Sequence, residues 1–306
     1  MTGAHEQLLE QLRPASFAVA YRMLGSVSEA EDVVQEALMR MLNALREGVV
    51  IESPRAYAVT VTSRLAIDEL RSARARREHY VGEWLPEPLL EDPAADPAGQ
   101  AELADSLSLA LLVALESLSP EQRAVLLLHD VFDYSYAEVA AIVDKSETNV
   151  RQLASRARRH VEQGRPRFDA SPEQRDALAE RFLSAAREGD LEGLEELLTG
   201  DVVLQGDGGG KVPALARSLR GRRRVAHTLI VWARQLRRIA DGQLRQVQVN
   251  GQPGALMLDG DGGLVGVWSF DIVGGQVQTV RSIINPDKLR HLGPLTELYG
   301  RERGQA

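Results

Sequence analysis

Cysteine is missing from this chain of 306 residues. Its absence excludes disulfide bonds, thiolate metal sites and thiol-based redox sensing, and it predicts a cytoplasmic protein. The six histidines are scattered and lack the spacing of metal ligands. We therefore expect neither a metal ion nor another cofactor.

Long hydrophobic runs are also missing. The longest, such as LALLVAL at 109–115, are far too short to span a bilayer. The N-terminal stretch MTGAHEQLLEQLRP lacks the basic segment and the apolar segment that together form a signal peptide. These absences predict a protein that does not contact a membrane.

Positive charge is absent from one part of the chain and concentrated in others. The net charge is −8, which argues against indiscriminate binding to nucleic acid. No Lys or Arg lies between Arg77 and Arg123, whereas ten Asp or Glu residues do. Basic residues gather instead at 71–77 and 151–159. The pattern indicates two basic modules joined by an acidic connector.

The first two thirds of the chain have helical patterning. Apolar residues recur every three or four positions after SEAE (28–31), which predicts a capping box with Ser28 as the N-cap. SPEQ (119–122) and SYAE (135–138) predict two further helix starts, and SPEQR recurs at 171–175. We therefore expect two small helical domains followed by another helix.

From about residue 200 the apolar period changes to the alternation of β-strands. Asn250-Gly251 and Gly274-Gly275 are typical of hairpin turns. The last part of the chain is therefore expected to be an α+β domain with a helical start and a curved antiparallel sheet.

Residues 134–161 have the layout of a helix-turn-helix. A first helix, Tyr136 to Val143, is followed by a turn at 144–145 and by a second helix with Ser146 as its N-cap. Ala140, Ile142, Val150 and Leu153 are expected to pack the two helices together. The outward residues would be Thr148, Asn149, Arg151, Gln152, Ser155, Arg156 and Arg159. Such a face suits the major groove of DNA, and it also suits an ordinary solvated surface helix.

A second basic helix begins at SPRAY (53–57). It carries Tyr57 near its start and Arg64, Arg71, Arg74, Arg76 and Arg77 further along. An aromatic residue combined with arginines can follow a phosphate backbone and stack on an unpaired base. Basic residues at a helix C-terminus are by themselves also explained by the helix dipole. Two such modules in one chain favour nucleic-acid binding.

Several stretches resemble a known family. AYRMLGSVSEAEDVVQEALMRML, SPRAYAVTVTSRLAIDELRSARARRE and LSPEQRAVLLLHDVFDYSYAEVAAIVDKSETNVRQLASRARR are similar to the two modules of extracytoplasmic-function (ECF) sigma factors of RNA polymerase. WLPEPL, DGGGKVPA and NPDKL resemble the marks of the subgroup with a fused SnoaL-like C-terminal domain. The resemblance covers nearly the whole chain.

The resemblance implies a multidomain protein with two all-α sigma modules, the second a helix-turn-helix, and a cone-shaped α+β barrel. The implied domains are sigma region 2 at 1–79, an acidic proline-rich linker at 80–104, sigma region 4 at 105–165, the SnoaL-like domain at 170–295 and a tail at 296–306. The free protein would be a monomer. Its partners would be the RNA polymerase core, through the beta-prime clamp and the beta flap, and promoter DNA.

The resemblance also assigns residues to these partners. Asp32, Gln35 and Glu36 would bind the polymerase core. The −10 element would be contacted by Tyr57, Arg64, Asp68, Arg71, Arg74 and Arg77, where Tyr57 and Arg64 replace the Trp and Asn of many relatives. The −35 element would be read by Thr148, Asn149, Arg151, Gln152, Ser155, Arg156 and Arg159.

The linker contains large apolar side chains that a solvated tether does not need. We expect Trp84 and Leu85 to pack near the loop at 207–211 of the third domain, making that domain a regulator in cis. The interface would comprise Trp84, Leu85, Pro86, Asp207, Gly208, Gly209, Gly210, Lys211, Asn285, Pro286, Asp287 and Lys288. GDGGGKV (206–212) is not a P-loop, because Val212 stands where Ser or Thr is required. A purely structural loop is the alternative to a docking surface here, and a catalytic Asp207 is the third.

The sequence therefore predicts a sigma factor without catalytic activity. A ligand-responsive helix-turn-helix regulator is the alternative, and it would bind duplex DNA without polymerase. An enzyme built on the SnoaL-like domain, with Asp207 as its acid or base, is a third class. A further basic run, RSLRGRRR at 217–224, is expected to be a solvated helix start.

Overall fold

The computed structural model describes residues 2–77, 79–90, 108–164 and 171–297. The chain divides into two compact units. One comprises Met1–His79 with Leu112–Arg165, and the other comprises Tyr80–Leu111 with Pro166–Ala306. The segment at 80–90 therefore packs with the C-terminal part of the chain.

The first unit begins with three helices that pack on one another: α1 (Thr2–Leu24), α2 (Val27–Arg46) and α3 (Pro54–Arg77). The apolar stripe of α2 is buried as its period predicts, with Val34 and Met41 at its centre. The N-cap prediction was wrong by two residues. Ser26, not Ser28, accepts the backbone N–H of Glu29, because the left-handed Gly25 ends the preceding helix and leaves Ser26 extended.

Four further helices follow: α4 (Leu109–Leu115), α5 (Pro120–Asp130), α6 (Tyr136–Val143) and α7 (Glu147–Gly164). Ser119 and Ser135 each form the predicted capping box, at the starts of α5 and α6. The turn between α6 and α7 begins at Asp144, which adopts a left-handed conformation. Ser146 then accepts the backbone N–H of Asn149 as the N-cap of α7.

The helix-turn-helix core is close to the prediction. Ile142 and Val150 are buried, and Ala140 is 9% exposed. Leu153 is only half-buried, whereas Val139 and Ala154 are fully buried and complete the contact between α6 and α7. The period of α7 places residues 150, 154 and 157 on its inner face.

Within its described residues, the second unit contains three helices and one sheet. The helices are α8 (Pro172–Glu188), α9 (Leu191–Glu196) and α10 (Arg222–Ala240). The strands are β1 (Leu198–Asp207), β2 (Leu219–Arg220), β3 (Gln243–Val249), β4 (Gln252–Leu258), β5 (Leu264–Val273) and β6 (Gln276–Ile283). Short 3₁₀ turns at Pro286–Lys288 and Arg290–Leu292 follow the last strand.

The six strands form a mixed sheet in the order β2-β1-β6-β5-β4-β3. The expected antiparallel sheet is therefore wrong at one pair, because β1 and β6 run parallel. The remaining neighbours are antiparallel. The predicted turn at Asn250-Gly251 connects β3 to β4, and the one at Gly274-Gly275 connects β5 to β6. The parallel pair brings the carboxyl ends of β1 and β6, at Asp207 and Ile283, to the same edge.

Apolar side chains fill the space between the sheet and its helices. Trp268, Phe182 and Phe270 are fully buried there, and the two phenylalanine rings lie 4.8 Å apart. The indole N–H of Trp268 donates to Ser282 Oγ at 3.2 Å. This core supports the strand ends against which residues 80–90 pack.

Within the described ranges, no helix is long and apolar enough to cross a membrane. The same ranges contain no group of three or more histidine and acidic side chains placed to hold a metal ion.

Candidate functional site

The outer face of α7 is the first candidate surface. Thr148, Asn149, Arg151, Gln152, Ser155, Arg156 and Arg159 are all exposed, as predicted. Arg151 is held by Glu147 one turn earlier and lies over the ring of Tyr136, 4.4 Å from its centroid. This arrangement presents polar and basic groups along one side of a helix that is anchored by its opposite side.

Arg158, which the sequence left unassigned, holds this helix in place. Its guanidinium forms an ion pair with Asp130 at the end of α5 and donates to Tyr136 Oη at 3.1 Å. The hydrogen bond with Asp130 raises the pKa of Arg158 above its ordinary value. Arg158 is therefore a positioning residue, and the exposed residues beside it remain available.

Four of the residues predicted to contact the −10 element share one face of α3. Tyr57, Arg64, Asp68 and Arg71 recur at helical spacing, and the last three are exposed while Tyr57 is half-buried. Arg77 lies on the other side of the helix. It donates to the carbonyl oxygen of Leu24 at 2.8 Å, so its side chain is used within the fold. The side chain of Arg74 lies outside the described residues.

Two arginines of this face are bonded to the helix-turn-helix module. Arg64 donates to the carbonyl oxygens of Ile142 (3.0 Å) and Ala141 (2.9 Å), which belong to the last turn of α6. Arg71 forms a 2.7 Å ion pair with Glu121 of α5. Both groups predicted to bind DNA are therefore occupied by intramolecular contacts in this structure.

A buried ion-pair network lies beneath these contacts. Glu116 accepts from Arg77 of α3 and from Arg123 of α5. Arg123 is 2% exposed and also donates to the carbonyl oxygen of Met23 in α1. Burial lowers the pKa of Arg123, and the carboxylate of Glu116 opposes that shift. The network links α1 and α3 to the C-terminal helices of the same unit.

The acidic face of α2 is the third predicted surface. Asp32, Gln35 and Glu36 are exposed on the side opposite its buried stripe. Glu36 accepts from Arg40 at 2.7 Å, and Met39 beside it is 47% exposed. This face offers carboxylates and an apolar side chain to a partner with basic groups.

A further candidate site lies within the C-terminal unit, where residues 80–90, here called the docked segment, bind to the domain. Its centre is Asp207 at the end of β1, which is 1% exposed. Asp207 Oδ2 accepts the backbone N–H of Leu85 (2.9 Å) and the ammonium of Lys288 (2.7 Å). Asp207 Oδ1 accepts the hydroxyl of Tyr80 (2.5 Å) and the backbone N–H of Gly209 (3.0 Å). One buried carboxylate thus joins the docked segment to two loops of the domain.

Lys288 is the cation of this site. Its ammonium donates to the carbonyl oxygen of Leu85 and lies 4.2 Å from the centroid of the Trp84 ring and 4.9 Å from that of Tyr80. Leu85 itself is 1% exposed. The lysine is therefore paired, desolvated and enclosed by the two aromatic residues, and both contacts strengthen as water is excluded.

Tyr80 binds both loops through one oxygen. While its hydroxyl donates to Asp207, it accepts the side-chain amide of Asn285 at 2.9 Å. Burial and the bond to Asp207 raise the pKa of Tyr80 above its ordinary value. Tyr80 therefore remains a neutral donor, a role that the sequence did not suggest.

The three glycines after Asp207 permit close approach of the loop. Gly209 and Gly210 have positive φ, and a Cβ on Gly209 would lie 2.3 Å from the side-chain amide of Asn285. A Cβ on Gly210 would approach Val81 of the docked segment at 3.0 Å. The glycine run thus has a steric reason that does not involve phosphate binding.

The far end of the docked segment binds the turn between β3 and β4. Leu89 N–H donates to Asn250 Oδ1 at 2.8 Å, and Asn250 N–H donates back to Leu89 at the same distance. His291 Nε2 lies 2.7 Å from the carbonyl oxygen of Pro88. The segment therefore reaches from the end of β1 to the opposite edge of the sheet.

Known proteins match this arrangement. The family models described as "Sigma-70 region 2" and "Sigma-70, region 4" match residues 8–76 and 108–161. The ECF RNA polymerase sigma factor SigJ of Mycobacterium tuberculosis is 37% identical, with 97% of this chain and 96% of SigJ covered. The probable ECF sigma factor SigI of the same species is 33% identical over 89% of this chain and 90% of its own.

The crystal structure of SigJ extends the match to three dimensions. It superposes with a TM-score of 0.75 at 36% identity, covering 94% of this chain and 98% of SigJ. This chain belongs to the ECF sigma factors. Sigma factors bind the RNA polymerase core and promoter DNA, and they are not enzymes. The α+β domain of this sigma factor is SnoaL-like, as the resemblance implied.

The predicted interface residues of this sigma factor have different roles. Asp207, Asn285, Lys288 and Leu85 meet at one point. Lys211 instead pairs with Asp287, and both side chains are more than 40% exposed, so this pair joins the two loops at the surface.

Sequence reasoning missed Tyr80, Asn250, His291 and the Glu83–Ser218 contact, in which Ser218 N–H donates at 3.1 Å. Asn250 had been assigned only to a hairpin turn. The signal for Tyr80 is its position in the same apolar stretch as Trp84 and Leu85. Nothing local distinguishes His291 or Ser218.

Proposed function

We propose that this ECF sigma factor is regulated in cis, by the C-terminal domain holding residues 80–90. The observation that carries the proposal is the buried Asp207, whose Oδ2 accepts from Leu85 N–H and Lys288 while its Oδ1 accepts from Tyr80. A segment bound through buried charge and two aromatic rings is a specific ligand of the domain. Modest affinity suffices, since the covalent tether gives a high effective concentration.

Docking limits how far the two sigma regions can separate. Residues 80–90 directly follow α3 of region 2, and residues 165–171 directly join region 4 to the same C-terminal domain. The bound segment therefore closes the chain into a loop. The −35 and −10 promoter elements, whose centres lie about 25 base pairs apart, are separated by about 85 Å along the duplex at 3.4 Å per base pair. Promoter recognition requires regions 2 and 4 to span that distance.

We assign the docked chain to a repressed state. The exposed face of α7 would read the −35 element, the Tyr57, Arg64, Asp68 and Arg71 face of α3 would bind the −10 element, and the acidic face of α2 would contact the clamp, with region 4 on the beta flap. Because Arg64 and Arg71 are bonded to α6 and α5, they cannot bind DNA until those bonds break. Release of the segment would permit that change.

The test is in-vitro transcription with core RNA polymerase, from a promoter that the wild-type holoenzyme selects in a genomic library. The variant Trp84→Ala/Leu85→Ala should initiate several times more often than the wild type, and proteases should cleave its segment at 80–90 faster. Val81→Ala is the matched control, because Val81 lies in the same segment but is 67% exposed.

Other outcomes separate the alternatives. Lower initiation by the released variant would make docking an activating contact. Unchanged initiation and unchanged proteolysis would contradict regulation through this segment. If no form of the chain initiates from any promoter but the folded protein binds specific duplex DNA alone, the helix-turn-helix regulator becomes the better proposal.

We propose no enzymatic role for the C-terminal domain. Asp207 is the acid or base that the enzyme hypothesis required, and both of its oxygens are already engaged by four donors. A general base must instead reach a proton on its substrate. The geometry supports Asp207 as a binding residue for the docked segment.

A further inference from the structure

The C-terminal domain has a basic surface that docking does not use. Between residues 208 and 240 there are nine Lys or Arg residues and no Asp or Glu, although the whole chain is acidic. Most of this stretch is α10, whose nineteen residues include six arginines. The sequence indicated a solvated helix start at 217–224, and the structure extends the basic surface along the whole helix.

Helical geometry places these arginines on one side. Val225, Leu229 and Ala233 are buried against the sheet. On the opposite side, the residues Arg223, Arg224, His227, Arg234, Arg237 and Arg238 are exposed. Arg223 and Arg238 are fifteen positions apart, which corresponds to about 22 Å at 1.5 Å per residue. We call this the α10 arginine face.

Several basic side chains elsewhere in this domain have an acidic partner, whereas the arginines of this face pair with no carboxylate in the part of the chain that the structure describes. Arg187, Lys211, Lys288 and Arg290 form ion pairs. Among the residues that the structure describes, no carboxylate pairs with Arg223, Arg224 or Arg238. Unpaired positive charge at this density attracts a polyanion, because binding releases the counterions of that polyanion.

We propose that the α10 arginine face binds the phosphate backbone of duplex DNA upstream of the −35 element. The polyanion present at a working sigma factor is promoter DNA. Region 4 ends at Gly164, and the C-terminal domain begins at Pro172. A connection of that length reaches at most about 25 Å, so the domain stays close to DNA that region 4 holds. Downstream DNA runs toward the polymerase and region 2, which leaves the upstream duplex.

The contact is independent of sequence, since guanidinium groups on a helix exterior reach phosphates without entering a groove. It adds affinity to any promoter that region 4 selects. It also gives the C-terminal domain a role on DNA that is separate from its contact with residues 80–90.

The experiment measures binding of the holoenzyme to two promoter fragments by fluorescence anisotropy. One fragment ends just upstream of the −35 element, and the other extends about 30 base pairs further. The variant Arg223→Gln/Arg224→Gln/Arg238→Gln is compared with Arg181→Gln/Arg245→Gln/Arg290→Gln, which removes the same charge from exposed arginines outside α10. Both are checked for native circular dichroism.

We expect the α10 variant to bind the long fragment about tenfold more weakly at ~0.1 M salt, with the salt dependence lowered by about one unit per lost phosphate contact. Its affinity for the short fragment should equal that of the wild type, and the control should match the wild type on both. Equal losses of affinity for both fragments would overturn the proposal and indicate that the α10 arginine face contacts another part of the holoenzyme. Unchanged binding would also overturn it. If the wild-type holoenzyme binds neither fragment, the result would instead contradict the sigma function.

Discussion

Two lysines near the docked segment differ in their surroundings although their chemistry is identical. Lys288 is 7% exposed and pairs with a fully buried Asp207 side chain, whereas Lys211 pairs with Asp287 where both are about 40% exposed. A buried pair that loses one partner leaves an uncompensated charge, whereas a surface pair is largely screened by water. Residue type alone therefore does not rank their importance.

We predict that Lys288→Met destabilises the C-terminal domain by about 3–5 kcal/mol, because the carboxylate of Asp207 remains buried without its cation. Urea unfolding of the full chain measures the change. The matched variant Lys211→Met should cost at most about 1 kcal/mol. Similar losses for the two variants would show that Lys288 is not the cation on which the site depends.

At the scale of elements, α3 has one face that we propose binds DNA and another that packs within the fold. Its Tyr57, Arg64, Asp68 and Arg71 face contacts α5 and α6 in this structure, while Arg77 on the other side joins Glu116. Region 2 is thus held to region 4 both through the face that we propose binds DNA and through a buried ion-pair network. Separation of region 2 from region 4 therefore requires that this ion-pair network break.

We predict that Glu116→Gln favours separation of region 2 from region 4, because Glu116 beside region 4 would no longer pair with Arg77 at the end of region 2. The absence of native cysteine allows specific labelling at Glu47→Cys and His160→Cys for distance measurement by energy transfer. The labelled Glu116→Gln protein should populate longer distances than the parent.

Glu147→Gln is the control for that experiment, since Glu147 pairs with Arg151 inside a single helix. It should leave the distance distribution unchanged. An identical distribution for Glu116→Gln and the parent would show that the buried network does not hold the two regions together.

At the scale of the whole molecule, the segment at 80–90 is part of the C-terminal unit. Leu85, Pro86, Glu87 and Pro88 are buried there, although a proline-rich acidic stretch is typical of a solvated tether. Their burial removes apolar area from water at roughly 25 cal/mol per Å². The C-terminal domain is therefore the partner that keeps this stretch ordered.

We predict that truncation at Arg165 exposes the docked segment to proteases. Proteinase K, which cleaves after aliphatic and aromatic residues, should cut the truncated chain between Tyr80 and Leu90 about tenfold faster than the full chain, because the binding site for those side chains is gone. Mass spectrometry of early fragments gives both rates, and circular dichroism checks that the helices remain.

Cleavage near Val50 provides the internal reference. Val50 is 87% exposed in the intact chain, so its neighbourhood should be cut at the same rate in both forms. Equal protection of residues 80–90 in the truncated chain would mean that the C-terminal domain is not what orders them.

The sequence by itself determined the features that depend on neighbouring residues. The capping boxes at Ser119 and Ser135, the turn at Asp144 and the outward face of α7 all follow from hydrogen bonds and periodicity within a few positions. The families were recognisable for the same reason, because their motifs are contiguous. Even the N-cap error at α2 was only two residues, caused by the conformation of Gly25.

Only the tertiary structure decided which distant residues meet. Tyr80 reaches Asp207 across 127 positions, and Lys288 returns to it across 81, because the parallel pairing of β1 and β6 brings both loops to one edge. Arg64 and Ile142 are joined over 78 positions by the packing of helices. Local propensity carries no information about such pairs, since each depends on strand order and on the packing of whole elements.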